Sequence, residues 1–422
     1  MKHFSLPFGQ THLSFTIPAY FTTDELNPVP VPVLENPVDK IHQVLKAPLH
    51  RLRYHHADHS PSIAIAINDK TRPVPNPNPL NVLLEDLNAL GFEREKITLF
   101  VASGTHTPME PSELPLILSD DIQDNYRIVV HDCDKSSMVD LGKTSRQTPI
   151  KINADYYQSE IKIVVGNIEP HHFMGFSGGA KGASIGLASR ETIEMNHALL
   201  AHPQATTGVF HRNPMRQEVE EIGKKIDLHY CLGSILNEDK EIIDVFFSNP
   251  SFVMNAAIPK IKQVFGASTT QPYDLVIASP GGAPKDINLY QAQKGLTHAA
   301  RITKDGGWVI LIAACPEGTG SASFEDYARA AQSQQAILDH FDQGFFQVGP
   351  HKAYQIARDA LRVNIVLVSE ILSKEVKQWK MTPSPPHLLQ SLINWILNRL
   401  PEDARIAILP AATRTMTEVS HE

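Results

Sequence analysis

Short apolar runs alternate with longer amphipathic segments along most of the chain. Such runs, separated by segments with helical periodicity, are typical of parallel strands joined by helices. Each run ends close to a polar or glycine-bearing loop. The pattern predicts seven strands, at residues 62–68, 97–102, 127–130, 161–165, 275–279, 308–313 and 363–368. The fold class that follows is α/β.

The length of the chain, 422 residues, indicates two domains. One hydrophobic core rarely serves so many residues, and ligands often bind in the cleft between two domains. The turn-rich segment 266–272, GASTTQP, lies between a helical pattern and a new strand, so it suits a linker. We expect two α/β domains, residues 1–268 and 269–422, with an active-site cleft between them.

The composition argues against some classes of binding partner. The formal net charge is -8 at pH 7, which argues against a basic face for nucleic acid. No apolar run reaches the roughly 18 residues of a membrane span, and the N-terminus lacks a signal-peptide core. Three widely spaced cysteines predict neither disulfides nor a cysteine zinc site. We expect a cytoplasmic protein that acts on a small molecule, without nucleic acid or membrane partners.

Polar loops follow four of the predicted strands, beginning near Asn68, Gly104, Gly166 and Pro280. Carboxyl ends of parallel strands lie at one edge of a sheet, where open α/β folds bind ligands. The loops are therefore expected to converge. The first one could hold a ribose and a phosphate, or could form a surface ion pair only; it contains Asp69, Lys70, Thr71 and Arg72.

The densest chemistry lies between Pro170 and His197. This segment contains His171 and a glycine-rich turn, whose residues are Ser177, Gly178 and Gly179. Glycines allow a positive φ and a close approach of the backbone to a ligand such as a phosphate. Lys181 follows as a cation or nucleophile. His197 is predicted to lie on the next helix, where its imidazole could face the loop.

Several histidines and one polar group have two interpretations. His106, His171 and His197, together with Lys181, are typical of a metal centre or of proton transfer, although a lone loop histidine often has no role. The segment with Gln291, Gln293 and Lys294 begins a helix that could bind a carboxylate or could be a solvated face. A further polar group is expected to bind metal only adventitiously; it comprises His50, His55, His56 and His59.

Taken together, the motifs resemble those of one known family. They are DKTRPVP, SGTH, EPHHFMGFSGGAKG, TIEMNH, HRNPMRQEVEE and YQAQK, in this order along nearly the whole chain. The sequence is similar to lactate racemase and its relatives, which are nickel-dependent 2-hydroxyacid racemases and epimerases. The resemblance implies inversion of a 2-hydroxyacid by proton-coupled hydride transfer through a 2-keto acid.

The resemblance also implies a cofactor and a role for each candidate residue. The cofactor is a nickel-pincer nucleotide of the pyridinium-3,5-dithiocarboxylic acid mononucleotide type, linked covalently at Lys181, with His197 as nickel ligand. His106 and His171 would be the acid/base pair. The nucleotide would be bound by the residues Asp69 to Arg72 and Ser177 to Gly179. The substrate would be oriented by Tyr290, Gln291 and Lys294. Separate cofactor-synthesis enzymes would be maturation partners.

Two features depart from the family pattern. Ser184-Ile185-Gly186-Leu187 replaces a proline-glycine-valine segment after the lysine, without removing a proposed ligand. His351, after Gly349 and Pro350, stands where lactate racemases place a tryptophan. A polar wall in place of an aromatic one favours a substrate other than lactate.

Two other functions fit the same residues. His106, His171 and His197 could bind zinc in a metal-dependent hydrolase or lyase, with Lys181 as a phosphate ligand. A noncatalytic protein that binds the nucleotide cofactor could also keep the fold. Zinc without an adduct on Lys181 would indicate the hydrolase or lyase. The noncatalytic protein predicts that replacing His106 and His171 leaves ligand affinity intact and abolishes no turnover.

Overall fold

The structure is a computed structural model that describes residues 1–342, 346 and 349–420. Strands and helices alternate through both halves of the chain. The strands are β1 (Lys2–Phe8), β2 (Thr11–Ile17), β3 (Thr22–Glu25), β4 (Ile63–Asn68), β5 (Ile97–Ala102), β6 (Arg127–Val130), β7 (Met138–Lys143), β8 (Pro149–Asn153), β9 (Ile161–Asn167), β10 (Pro170–His171), β11 (Gly175–Phe176), β12 (Tyr230–Leu236), β13 (Ile242–Ser248), β14 (Gly266–Thr269), β15 (Tyr273–Ala278), β16 (Thr303–Ile312), β17 (Asn364–Val368), β18 (Thr382–Ser384), β19 (Arg405–Leu409) and β20 (Met416–Val419).

The helices cover the sheets. They are α1 (Pro37–His55), α2 (Pro79–Ala89), α3 (Asp120–Asn125), α4 (Ala154–Gln158), α5 (Lys181–Ser184), α6 (Arg190–Ala198), α7 (Pro214–Lys225), α8 (Pro250–Phe265), α9 (Leu289–Arg301), α10 (Ala322–Ala330), α11 (Gln334–Asp342), α12 (Pro350–Ala360), α13 (Ser373–Gln378) and α14 (Leu389–Leu397). In the described part of the chain, no helix is both long and apolar enough to cross a bilayer.

The chain divides into two compact units. The central unit is Pro30–Gln263, and the terminal unit combines Met1–Val29 with Val264–Glu422. The central unit has a six-stranded sheet in the order β13-β12-β9-β4-β5-β6. Its strands are parallel except β13, which pairs antiparallel with β12.

The sequence of β4 explains its central position in this sheet. Ile63, Ile65 and Ile67 point to one face and join a cluster with apolar residues of α1 and α2. Ala64 and Ala66 alternate with them, so they point to the other face, where α5 packs. Small side chains there let the chain after the glycine-rich turn lie close to the sheet.

The terminal unit has a parallel sheet in the order β18-β17-β16-β15-β19-β3. Helices α9 and α12 pack on one face of it. The hairpin of β1 and β2 and helix α14 cover the other face. Both faces of the sheet are therefore buried, which accounts for the nearly continuous apolar runs of its strands.

The structure confirms the predicted α/β class, and each of the seven predicted strands corresponds to an observed one. Three details differ. Residues 1–29 belong to the terminal unit, because β3 pairs with β19 at the edge of its sheet. The predicted linker instead begins with β14, which pairs with β20. Gly166 and Asn167 complete β9 rather than beginning a loop.

Candidate active site

The loop after β4 is tied to His106, which follows β5. Asp69 is buried, and each of its carboxylate oxygens accepts hydrogen bonds. Oδ2 lies 2.7 Å from Nδ1 of His106. Oδ1 accepts from the Thr71 hydroxyl at 2.5 Å and from the Thr71 amide at 3.1 Å. Neighbouring strands thus bring Asp69 and His106 together, as the order of the sheet requires.

This contact fixes the tautomer of His106. Burial by itself would raise the pKa of Asp69, but the hydrogen bonds from His106 and Thr71 lower it below its usual value. Because an ionised carboxylate only accepts hydrogen bonds, Nδ1 of His106 carries a proton and Nε2 of the neutral ring keeps its lone pair. The side chain of His106 is 47% exposed. A basic nitrogen is therefore available for proton transfer.

The two cations of this loop have different surroundings. Lys70 forms an ion pair with Glu113. Arg72 contacts the Thr71 hydroxyl and lies close enough to Lys181 to lower the pKa of that lysine. Asn167 donates to the carbonyl of Pro73 at 2.7 Å, which ties the end of the loop to β9. Of the two side chains, Arg72 is the one placed near Lys181.

The glycine-rich turn lies between β11 and α5. Gly178 has φ +85° and Gly179 has φ +61°, in the left-handed region that favours glycine. A Cβ on Gly178 would come within 2.9 Å of the Ile168 side chain. A Cβ on Gly179 would come within 2.6 Å of Arg216 and Met254. The turn therefore has no room for side chains at these two positions.

Arg216 of α7 holds the turn from behind. Its side chain is fully buried, and it donates to the carbonyls of Phe176 at 3.2 Å and Gly178 at 3.0 Å. Glu220, one helical turn later, pairs with the guanidinium at 2.7 Å. The sequence-based interpretation did not assign Arg216 a role. Its position inside HRNPMRQEVEE gives no signal, because only the fold shows that this charge is buried.

Lys181 begins α5, directly after the turn. Desolvation contributes most to lowering its pKa, repulsion from Arg72 and Arg216 adds to that, and Glu169 opposes it. The resulting pKa is about 7. A large share of this amine is therefore neutral and nucleophilic near pH 7.

His197 is on α6, as the sequence predicts. Its Nδ1 lies 2.8 Å from the carbonyl oxygen of Ile193, so Nδ1 is protonated and Nε2 has the lone pair. Burial, with repulsion from Lys181, lowers the pKa of His197 to about 3. The ring is neutral at all ordinary pH values, and a neutral imidazole is the form that binds metals.

His171 lies in the short hairpin of β10 and β11. The amide of Met174 donates to its Nδ1 at 3.2 Å. In the neutral ring the proton therefore resides on Nε2, the opposite tautomer to His106. The rings of His171 and His172 are stacked with centroids 4.8 Å apart, and Phe173 packs edge-on between this hairpin and His197.

The other predicted site residues belong to the terminal unit. Tyr290, Gln291 and Lys294 are in the first turns of α9, and the Lys294 ammonium donates to the Gln291 side chain at 2.7 Å. His351 is in the first turn of α12, which packs against α9. The rings of His351 and Tyr290 are 5.8 Å apart. These four residues lie in one part of the unit, and Lys352, which had no assigned role, lies among them.

The distances between ligand atoms show whether His106, His171 and His197 could share one zinc ion. Among the described residues, the groups whose ligand atoms approach closely enough to share an ion are His56 with His59 and Glu160, and Asp132 with Cys133 and Asp134. The three histidines are not such a group. One of the predicted adventitious histidines, His59, is paired with Glu160 at 3.1 Å.

Comparisons with known proteins give a consistent result. Residues 8–208 match the model of the lactate racemase N-terminal domain, and residues 268–416 match that of the lactate racemase C-terminal domain. A lactate racemase of Thermoanaerobacterium thermosaccharolyticum is 26% identical over 97% of this chain and 98% of its own length. One of Lactiplantibacillus plantarum is 32% identical over 66% of each chain.

Solved structures extend this similarity to the fold. The lactate racemase apoprotein of T. thermosaccharolyticum superposes with a TM-score of 0.87 at 25% identity, covering 99% of this chain and 100% of that one. A protein of Thermotoga maritima superposes with a TM-score of 0.59 at 17% identity, covering 90% and 98%. The second similarity concerns the fold alone.

Proposed function

Because this chain belongs to the lactate racemase family and is a racemase, we propose that it inverts C2 of a 2-hydroxyacid with a nickel-pincer nucleotide bound in the central unit. The observation that carries the proposal is the pair of His106 and Asp69. It supplies an oriented base in the same unit as a lysine with a pKa of about 7 and a neutral imidazole that could bind a metal.

The residues of the central unit fit such a cofactor. Lys181, with a pKa of about 7, suits a covalent amide-type link, and His197 keeps a lone pair on Nε2 for nickel. The turn at Gly178 and Gly179 lets the backbone approach a phosphate or ring closely. The buried hydroxyl of Ser177 has no hydrogen-bond partner among the described residues, so a ligand atom could fill that place.

The protein's own residues supply the protons. When bound, the cofactor would take a hydride from C2 and return it to either face of the 2-keto acid. His106 accepts the hydroxyl proton at Nε2, because Asp69 holds the proton of the other nitrogen and stabilises the ring when it becomes charged. Removing proton and hydride together avoids a carbanion beside the carboxylate.

His171 serves the opposite face of the substrate in this proposal. Its neutral ring offers an N–H at Nε2 to the substrate oxygen. To accept a proton there, the ring first has to move its own proton to Nδ1, which breaks the contact with the Met174 amide. In the direction in which His106 takes the hydroxyl proton, His171 would begin as an imidazolium and give its Nε2 proton to the new hydroxyl, so that His171 ends neutral and His106 ends charged. In the other direction the two charge states are reversed.

The terminal unit is proposed to orient the substrate. Lys294 binds the carboxylate next to C2, and Gln291 holds the Lys294 ammonium in place. Tyr290 and His351, whose rings lie 5.8 Å apart, would contact the rest of the substrate. Free cysteines at positions 133, 231 and 315 suit the reducing cytoplasm, where cofactor-synthesis enzymes would load the protein.

The test uses protein produced together with the cofactor-synthesis enzymes. Peptide mass spectrometry should find an adduct on Lys181, metal analysis should find nickel, and chiral chromatography should show inversion of at least one acid in a panel of 2-hydroxyacids. Lys181→Met should lose the adduct and the activity, whereas Lys162→Met, at another lysine of the same unit, should keep both. Bound zinc with an unmodified Lys181 and hydrolytic turnover would replace this proposal with a hydrolase or lyase.

A further inference from the structure

A second polar cluster lies at the other end of the strands that carry the candidate active site. It consists of His56 and His59, which follow α1 and precede β4, and Glu160, which precedes β9. Because β4 and β9 are parallel, the cluster lies at their amino ends. Asp69 and His106 follow the carboxyl ends of β4 and β5. A strand of six residues such as β4 is about 20 Å long, so the two groups are separate.

The three side chains of this cluster can share one metal ion. Each offers one ring nitrogen or carboxylate oxygen, and these three atoms lie within 4.8 Å of one another. Nε2 of His59 is 3.1 Å from Oε2 of Glu160, and the two imidazole rings have centroids 5.2 Å apart. Nδ1 of His56 is buried without a hydrogen-bond partner among the described residues, so a metal ion bound there would supply the missing contact.

Neighbouring groups hold these ligands in position. The Ser62 amide donates to Oε1 of Glu160 at 3.0 Å, and the Glu160 amide donates to the Ser62 hydroxyl at 3.0 Å. This leaves Oε2 of Glu160 facing His59. The Arg53 guanidinium donates to the carbonyl oxygen of His56 at 2.7 Å and to that of His59 at 3.4 Å. Outer contacts of this kind orient the ligands of metal sites.

A second group has ligand atoms equally close together, but its atoms are less suited to an ion. It consists of Asp132, Cys133 and Asp134. Both carboxylate oxygens of Asp134 accept from Arg190 at 2.7 Å. Burial raises the pKa of the Cys133 thiol, whereas a cysteine binds metals as the thiolate. The histidine cluster is therefore the better candidate.

The ligand set of the histidine cluster determines which ion fits. Two imidazoles and one carboxylate suit zinc and leave one tetrahedral position for water. The side chains of His59 and Glu160 are 54% and 49% exposed, so water can reach that position. The run of histidines in the sequence predicts adventitious binding only. Glu160 comes 101 residues after His59, so the complete ligand set exists only in the folded protein.

We propose that His56, His59 and Glu160 bind one zinc ion, which links the end of α1 to the starts of β4 and β9. The ion has a structural role, because it joins three segments of the central unit at the sheet edge away from the candidate active site. This inference is independent of the proposed racemase function, since neither the cofactor nor Lys181 takes part in it.

The test titrates the full-length apoprotein with zinc after treatment with a chelator. Isothermal titration should show one ion per chain, and X-ray absorption should show two imidazole nitrogens at about 2.0–2.1 Å together with oxygen ligands. Zinc at about 100 times its Kd should raise the Tm of the central unit by about 5–10 °C, because the ion binds the folded state only.

Substitutions of the ligands locate the ion. Glu160→Gln, which keeps an oxygen for the Ser62 amide, and His59→Gln should each weaken zinc binding at least about 10-fold. His55→Gln, at an exposed histidine beside the cluster, should bind zinc as the wild type does. With chelator present, Glu160→Gln should have the Tm of the wild type, which shows that its fold is intact. If His59→Gln does not fold, the comparison of Glu160→Gln with His55→Gln decides.

The outcomes that contradict the inference are distinct from a failure of the racemase proposal. No zinc binding by the wild type would overturn it. So would unchanged affinity in Glu160→Gln and His59→Gln, and a loss of the ion in His197→Gln would then place zinc among the histidines of the candidate active site. Loaded enzyme that inverts no 2-hydroxyacid would end the racemase proposal and leave the zinc titration unaffected.

Discussion

At the scale of single residues, the two histidines proposed as the acid/base pair differ in what their Nδ1 atoms contact. Nδ1 of His106 faces the carboxylate of Asp69, whereas Nδ1 of His171 accepts from the Met174 amide. The Nε2 atoms consequently differ, one with a lone pair and one with a proton. In the proposed mechanism Asp69 acts through His106, which its Oδ2 contacts, while its Oδ1 accepts from Thr71.

Replacing Asp69 tests this orientation. Asp69→Asn should lower kcat/KM by about 10²- to 10⁴-fold, the usual contribution of a positioned acid or base, because the ring of His106 loses its fixed tautomer. The equilibrium constant of racemisation is 1 for a substrate with a single stereocentre. The decrease must therefore be the same in both directions.

A structural readout separates orientation from misfolding. Nitrogen NMR of the apoprotein should show His106 protonated at Nδ1 in the wild type and as a mixture of tautomers in Asp69→Asn. Asp155→Asn, at an exposed carboxylate that pairs with Arg127, should change neither the spectrum nor the rate. An unchanged rate in Asp69→Asn would show that His106 needs no partner.

At the scale of elements, the glycine-rich turn depends on a helix that is distant in sequence. Helix α7 starts at Pro214 with Asn213 as its N-cap, whose side chain accepts from the Met215 and Arg216 amides. This start places Arg216 beneath the turn, stacked 4.9 Å from the ring of Phe210. The conformation around Lys181 is thus set by α7 as well as by the glycines.

Arg216→Met should destabilise the protein and disturb the turn. The change removes the donors to two backbone carbonyls and leaves Glu220 without the guanidinium, so we expect a loss of about 3–5 kcal/mol in the free energy of unfolding. Urea denaturation followed by circular dichroism measures this loss. The yield of the Lys181 adduct should fall in parallel.

The matched control is Arg127→Met, which removes a 63% exposed arginine from a surface ion pair. Its effect should stay within about 0.5 kcal/mol. A similarly small effect of Arg216→Met would mean that the glycines alone set the turn.

At the scale of the whole molecule, the order of residues along the chain does not match the division into units. The first 29 residues supply the edge strand β3 and an apolar hairpin to the terminal unit. Five large side chains from this segment are buried against its sheet: Leu6, Phe8, Phe15, Ile17 and Phe21. Burying each contributes roughly 1.5–3 kcal/mol, so the segment supports much of the stability of that unit.

Separate expression of the units tests the division. Residues 30–263 should fold alone, because they form one contiguous unit with its own core. Residues 264–422 should be unfolded or insoluble, since one face of the sheet loses the hairpin that covers it together with α14, and the sheet loses its edge strand β3. Circular dichroism and gel filtration report both outcomes, and adding residues 1–29 through a flexible linker should restore folding. A soluble, folded 264–422 would show that the N-terminal segment is dispensable.

The local pattern of the sequence was sufficient for the fold class and for seven of the twenty described strands. Alternation of apolar strands with amphipathic helices is a local signal, and it located the seven predicted strands to within a few residues. It did not find β3 or β14 as parts of sheets, because short strands such as these depend on distant partners. Because β3 pairs with β19 and β14 pairs with β20, both far away in the chain, the local pattern placed residues 1–29 in the first domain and treated residues 266–272 as a linker.

For the candidate site, too, some features follow from the sequence and others only from the folded structure. The sequence by itself determined which residue types were available, the order of the loops along the chain, and the presence of glycines in the turn before Lys181. Tertiary structure alone decided that Asp69 contacts His106, that Arg216 lies beneath the turn, and that Lys352 lies beside Tyr290. These contacts join residues far apart in the chain, and the energy of a buried charge depends on what surrounds it. A linear sequence does not specify those surroundings until the chain has folded.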